Sequence, residues 1–186
     1  MEDEIVITML KGVGVRLMEP ADLPALHAIY QSNIADFLPD DMELVRECIQ
    51  ETSPNYFVIE INDEVVAGGG VELAEGCNDA TLYMGIVRRD LHGQELGTLL
   101  MLLRLAWTDG NPGRVWLMTH EKTRGFYERF GFRKVSDHLR AGLPRFSWYT
   151  LQLDESAREV IKSRLRENGF GGLLDGNTSS SPDTPI

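Results

Sequence analysis

Apolar residues along the chain follow two different periods, and each period indicates one kind of secondary structure. Between Ala21 and Ser32, and again from Met42 to Ile49, they recur with helical spacing. The β-branched and aromatic runs at Tyr56 to Ile61 and Val65 to Leu73 predict strands instead. Asn62 and Asp63 stand between these runs, so the two strands should form a hairpin.

The rest of the chain continues this alternation, with glycine- and proline-rich turns between the elements. Ser156 and Glu159 are placed to form a capping box for the last helix, and Gly169 is placed to end it. The order predicts an α/β (α+β) fold in one domain, residues 1–169, with a mixed central sheet flanked by helices. The further predicted strands are Val13–Met18, Thr81–Val87, Arg114–Met118, Phe132–Ser136 and Trp148–Leu153, and the further helices are Leu96–Thr108, Thr123–Phe130 and Asp154–Asn168.

Composition changes this picture in two places. From Phe170 to Ile186 the chain is rich in glycine, serine and proline and has no basic residue, which predicts a disordered C-terminal tail. The net charge of −11 argues against sequence-independent binding of nucleic acid, which needs a basic surface. The same charge is compatible with a cationic amine as partner.

Location and metal binding follow from what the sequence lacks. No apolar run is long enough to cross a bilayer, and the acidic N-terminus has no basic n-region of a signal peptide. Cys48 and Cys77 have neither CxxC nor zinc-site spacing. We therefore expect a cytoplasmic protein with no metal and no membrane partner.

The most informative stretch is the junction between the strand that ends at Val87 and the apolar helix that begins at Leu96. A helix begins with backbone N–H groups that have no acceptor within the helix, and it carries partial positive charge there. Gly93 and Gly97 add little bulk around these groups. The junction is therefore predicted to bind an anion such as a phosphate.

This junction and the later stretch GFYERFGF, Gly125 to Phe132, resemble motifs A and B of the GCN5-related N-acetyltransferases, the GNAT family. The resemblance implies the GNAT fold from Val13 to Leu153 and acetyl-CoA as cosubstrate. It implies direct transfer of acetyl to a primary amine of a small molecule or peptide, with no covalent enzyme intermediate. A homodimer is a possible assembly, and the sheet should open near Met84 and Gly85.

Carried over residue by residue, motif A assigns the cofactor to backbone groups. An N–H near Val87 would polarise the thioester carbonyl. His120 stands where family members often have asparagine, so it is implied near the pantetheine or the acceptor; a plain surface histidine is the alternative. The implied cofactor-binding residues are Gly85, Ile86 and Val87 along the pantetheine, and His92, Gly93, Gln94, Glu95, Leu96, Gly97 and Thr98 around the pyrophosphate.

Motif B implies that Tyr127 is the general acid that protonates the leaving thiolate, a role that suits a phenol. The alternative is a tyrosine that packs its ring and wets its hydroxyl. For the general base, Glu72 is the first candidate and Glu60 the second, although strands also place carboxylates on a solvated face. Further residues that could line the acceptor cleft are Tyr83, His138 and Arg145.

The chain departs from the family's motif A, R/Q-x-x-G-x-G/A, at two positions. His92 replaces the arginine or glutamine, and Glu95 replaces the first glycine. A carboxylate beside two phosphates would weaken binding by roughly 1–3 kcal/mol. One alternative function is therefore a non-catalytic acyl-CoA-binding or regulatory module on the same fold, and another is an interaction domain that binds no nucleotide.

Overall fold

The computed structural model describes residues 12–34, 38, 42–51, 55–74, 76, 78–111, 113–137 and 146–172. Within these ranges seven strands form one mixed sheet in the order β1-β2-β3-β4-β5-β7-β6. The strands are β1 (Val13–Leu17), β2 (Tyr56–Ile61), β3 (Glu64–Leu73), β4 (Ala80–Val87), β5 (Arg114–His120), β6 (Arg133–Asp137) and β7 (Phe146–Gln152). The helices are α1 (Leu23–Gln31), α2 (Met42–Glu51), α3 (Leu96–Trp107), α4 (Arg124–Glu128) and α5 (Glu155–Glu167).

The predicted elements are all present, with ends that differ from the prediction by no more than two residues. The predicted hairpin is confirmed, because Asn62 and Asp63 have φ of 51° and 64°, as a type I′ turn requires. The predicted capping box of α5 is wrong. Asp154, whose backbone is extended, is the N-cap and accepts a hydrogen bond from the Ala157 N–H at 2.8 Å.

Helices cover the sheet on both sides, and side chains alternate between them along each strand. On one side, here called the α3 face, α3 and α5 pack over residues such as Phe57 and Leu117. On the other side, the α1 face, α1 and α2 pack over residues such as Tyr56 and Ile86. Nearly every position of α3 is buried, as its apolar sequence predicted.

The described chain continues a short way beyond α5. Phe170, the first residue of the segment predicted as a tail, packs against the α3-face core, and its N–H donates to the Leu165 carbonyl at 2.8 Å. Residues 173–186 lie outside the described residues. In the described ranges no helix combines the length and apolarity needed to span a membrane.

Candidate active site

The two parallel strands of the sheet separate soon after they meet. β4 and β5 pair at three positions, from Ala80 with Val115 to Leu82 with Leu117, and beyond them each strand continues without the other. Just past Leu82, Met84 and Gly85 form a β-bulge opposite Gly69, and Met84 has φ of 43°. We call the opening between the diverging strands the cleft; it begins immediately before the predicted position.

Backbone groups of β4 are directed into this cleft. The Arg88 N–H donates to the Val66 carbonyl at 2.8 Å, so the neighbouring pair Ala67–Val87 is a non-hydrogen-bonded pair of the ladder. The N–H and C=O of Val87 therefore point away from β3, toward the side that β5 has left. Ile86 pairs with Gly68 and directs its backbone groups to β3 instead.

The carbonyl of Val87 is held by two side chains. Asn33 Nδ2 donates to it at 3.0 Å, and His92 Nε2 lies 2.9 Å from it. Because Nε2 must carry the proton, His92 Nδ1 can accept from the Arg89 guanidinium at 3.2 Å. His92, predicted to bind the cofactor, thus braces the turn between β4 and α3.

The turn into α3 has the features of an anion site. Gly93 has φ of 82°, and a β-carbon built on it would meet nothing within 4 Å. The Leu99 N–H donates to the Glu95 carbonyl at 2.9 Å, so the first helical hydrogen bond starts at Glu95. The N–H groups of Leu96, Gly97 and Thr98 precede this bond and have no acceptor within the helix.

Glu95 is the N-cap of α3 in a left-handed conformation, with φ of 63° and ψ of −1°. Glycine adopts this region without strain, whereas a residue with a β-carbon does not. The family motif has glycine at this position, so the structure supplies the physical reason for that preference. The Glu95 side chain makes no capping hydrogen bond to the first turn.

Tyr127 lies on α4, over the α3 face. Its ring meets Phe126 edge-on at 5.1 Å and Phe132 at 6.2 Å between centroids, so aromatic packing fixes the ring. Its hydroxyl makes no hydrogen bond to any part of the chain that the structure describes.

The left-handed Gly131, φ 91°, ends the helix α4 as predicted.

His120 ends β5 and organises the turn into α4. Its Nδ1 accepts from the Lys122 N–H at 3.1 Å, and its ring meets Phe146 edge-on at 5.3 Å. Its carbonyl accepts from both the N–H and the hydroxyl of Thr123. These contacts place His120 at the β5 side of the cleft.

The two candidate bases have different surroundings. Glu72 is exposed on the α1 face, directly opposite Thr81 of β4 and two rows of the ladder from Tyr83. Glu60 Oε1 accepts from Arg16 Nη2 at 2.6 Å and lies on β2, two strands away from the cleft. Glu60 is therefore committed to an ion pair, and Glu72 is the better placed. His138 and Arg145 lie outside the described residues.

Two polar residues near the cleft were missed in the sequence analysis. Asn33 follows α1 and gives no sequence signal for its contact with Val87, since 54 residues separate them. Arg104 does give a signal, because it is the one charged residue of the helix LGTLLMLLRLAW. Its side chain is 3% exposed, and its guanidinium lies against Gly69 and Gly85 at the bulge.

A protein-family model matches the part of the chain that contains the cleft. Residues 52–134 match the family model described as an acetyltransferase (GNAT) domain. This range includes β2 through α4 and therefore the cleft. No curated protein matches the chain.

Solved structures give the same fold. The chain is similar to Ard1 from Thermoplasma volcanium, with a TM-score of 0.66, 15% identity and 77% of this chain and 99% of that chain covered. It is similar to an acetyltransferase from Thermus thermophilus, with a TM-score of 0.58, 25% identity and coverages of 78% and 99%. N-acetylglutamate synthase from Neisseria gonorrhoeae, solved with coenzyme A and N-acetyl-glutamate, gives a TM-score of 0.62 and 13% identity, with 77% of this chain and 35% of that chain covered.

Proposed function

We propose, from the premise that residues 52–134 match a GNAT acetyltransferase domain, that the chain transfers the acetyl group of acetyl-CoA directly to a primary amine. The observation that supports the proposal is the cleft itself: β4 and β5 part after Leu82, and the Val87 N–H is directed into the opening. Tyr127 packs over the α3 face, whereas Glu72 stands on the α1 face of the neighbouring strand β3. A candidate proton donor and a candidate proton acceptor are thus available on opposite faces of the sheet.

The residues around the cleft fit the cofactor. The N–H groups of Leu96, Gly97 and Thr98 offer donors for a pyrophosphate at the positive end of α3, and the open side of Gly93 leaves room beside them. The Val87 N–H is directed into the cleft and can donate to a thioester oxygen. When bound, acetyl-CoA supplies the acetyl group and a thiolate leaving group.

Two residues of the chain then carry out the two proton transfers. Tyr127 holds a proton at Oη that it can give to the leaving sulfur, because no described group competes for that hydroxyl. Glu72, directly or through water, accepts the proton that the attacking ammonium must lose. Cys48 and Cys77 play no part in this scheme. A reducing cytoplasm is the compartment that we propose, and a small amine or a peptide is the acceptor.

Glu95 favours a second candidate function. Its carboxylate is two residues from Gly97 and within the first turn that would receive the pyrophosphate. A like charge there disfavours phosphate binding, so the alternative is a module that binds acyl-CoA weakly and does not catalyse transfer.

Two measurements separate these functions. Acetyl-CoA at 100 times its dissociation constant should stabilise the fold by ~2.7 kcal/mol, which is a rise in Tm of several degrees. Turnover of acetyl-CoA with a panel of amines, followed by release of free thiol, should then distinguish an enzyme from a binding module. Stabilisation without turnover by any amine would support the module, and no stabilisation at millimolar cofactor would contradict both.

A further inference from the structure

Arg104 is a buried charge at the back of the cleft. It lies in the third turn of α3, with neighbours that are apolar, and is 3% exposed. A β-carbon built on Gly85 would lie 2.8 Å from Nη2, and one built on Gly69 would lie 3.2 Å from Nη1. The guanidinium therefore occupies space that exists because Gly69 and Gly85 have no side chains.

Among the described residues, few groups offset the positive charge of Arg104. Its one hydrogen bond among the described residues runs from Nε to the Leu100 carbonyl at 3.3 Å, and no described carboxylate pairs with it. Within the described chain, the only side-chain nitrogen or oxygen that is sealed from solvent without a partner is His27 Nε2. The guanidinium of Arg104 lies beside Gly85, which is exposed.

The other buried arginine shows what a structural role looks like. Arg158 donates to the Thr108 carbonyl at 2.9 Å, the Thr108 hydroxyl at 3.3 Å and the Asn111 carbonyl at 3.0 Å. These bonds close the C-terminal end of α3, which explains why the charge is there. No comparable set of acceptors among the described residues explains Arg104.

Two phenols, those of Tyr127 and Tyr56, interact electrostatically with Arg104. Burial lowers the pKa of Arg104 below its ordinary value, and the nearby Tyr127 and Tyr56 oppose that shift. Tyr56 is occupied, because its hydroxyl donates to the Met84 carbonyl at 2.9 Å. Tyr127 is the phenol whose hydroxyl has no partner among the described residues, so it is the one that is available as a proton donor.

We propose that Arg104 is a positioning residue: its fixed positive charge behind Gly85, at the back of the cleft, stabilises the negative charge that develops on sulfur before Tyr127 protonates it. The inference rests on the proposed function. Tyr127 gives its Oη proton to sulfur, which keeps the electron pair of the broken C–S bond, while the amine nitrogen forms the new C–N bond and releases its proton to the base. Tyr127 then regains a proton from solvent. A fixed charge in a poorly solvated place acts on such a step without reorganisation.

The test uses three variants of the full chain. Arg104→Met removes the charge and keeps a long side chain; loss of one such stabilising group typically lowers kcat by ~10²–10³-fold. KM for acetyl-CoA should change by less than about threefold, and Tm should not fall, because an unpaired buried charge is removed. Arg104→Lys should recover roughly tenfold or more of kcat, since it restores the charge. Arg158→Met, the matched control, should lower Tm and keep kcat.

A binding measurement tests the same charge without turnover. As the pH is raised from about 7 to about 10 the thiol of coenzyme A ionises, so the wild type should increasingly prefer coenzyme A to desulfo-coenzyme A, and Arg104→Met should abolish that preference. If the preference is present but no amine is acetylated, the proposed function fails and the thiolate site stands. Absence of the preference in the wild type, or an Arg104→Met variant with unchanged kcat, overturns the inference.

Discussion

The ring of Phe126 lies against the α-carbon of Gly97: a β-carbon there would be 3.5 Å from ring atoms Cε2 and Cζ. Gly97 is in the first turn of α3 and Phe126 is in α4, so this contact joins the two motifs that the sequence placed far apart. The absent side chain of Gly97 points at Phe126 and Val87, into the protein. A side chain at this position would therefore face the protein interior and the ring of Phe126.

Gly97→Ala should accordingly be tolerated. The new methyl group makes an ordinary van der Waals contact with Phe126, and alanine in a helix is favoured over glycine by up to ~1 kcal/mol. We expect Tm to rise by up to ~2–4 °C and the affinity for coenzyme A to change little. A large loss of affinity with unchanged Tm would show that the phosphates need the space that the methyl group fills.

Glu95→Gly should raise stability and tighten cofactor binding. From sequence alone, glycine in the first turn predicts a small loss of stability, but Glu95 is a left-handed N-cap, where glycine relieves roughly 1 kcal/mol of strain. Glu95→Gln is the matched control, because it removes the charge and keeps the strain. Thermal unfolding and coenzyme A titration of both variants separate the two effects: equal affinity gains would assign the effect to charge, and no gain in either would show that the carboxylate does not face the pyrophosphate.

Tyr127→Phe should lower kcat by ~10²–10⁴-fold, the usual effect of losing a general acid. Tm and coenzyme A affinity should stay close to those of the wild type, because the ring contacts with Phe126 and Phe132 remain. Tyr149→Phe removes a hydroxyl from a buried tyrosine of β7 and serves as the control, with kcat retained. Equal activity of the wild type and Tyr127→Phe would assign Tyr127 to packing alone.

Asp22→Asn should destabilise the fold at neutral pH and much less in acid. The bidentate contact with Arg16, at 2.7 and 2.8 Å, lowers the pKa of Asp22, so its stabilisation is present above the unfolded-state value and is lost as pH falls through the folded-state value. We expect a loss of about 1–3 kcal/mol near neutral pH that shrinks as the pH falls below the unfolded-state value of about 4. Urea unfolding of the wild type and the variant, at neutral pH and in acid below the unfolded-state pKa, checks this. Asp90→Asn, at the exposed pair with Arg88, should change stability by less than about 0.5 kcal/mol at either pH.

Two truncations define where the folded unit ends. Removing residues 173–186 should leave Tm nearly unchanged, because their composition offers little apolar surface. Removing residues 170–186 also deletes Phe170 and its contact with the core, which should lower stability by roughly 1–2 kcal/mol. If the two truncations have the same Tm as each other, Phe170 contributes nothing; if the shorter deletion is already unstable, residues 173–186 have a role that composition does not predict.

The sequence predicted the elements well because their signals are local. The type I′ turn at Asn62 and Asp63, the apolar α3 and the stop at Gly131 each depend on residues a few positions apart. What the sequence could not supply was contact between distant segments. The Asn33 bond to Val87, the ion pair of Glu60 with Arg16 and the space at Gly69 and Gly85 for Arg104 all depend on strand register.

The parting of β4 and β5 makes the cleft accessible from both faces of the sheet. A donor bound along the α3 face and an acceptor that arrives on the α1 face would meet in the cleft and would occupy separate volumes. Neither needs to leave before the other enters. Initial-rate plots against one substrate at several levels of the other should therefore intersect, as for a sequential mechanism, and a bulky acceptor such as a polypeptide end would meet no obstruction from the donor.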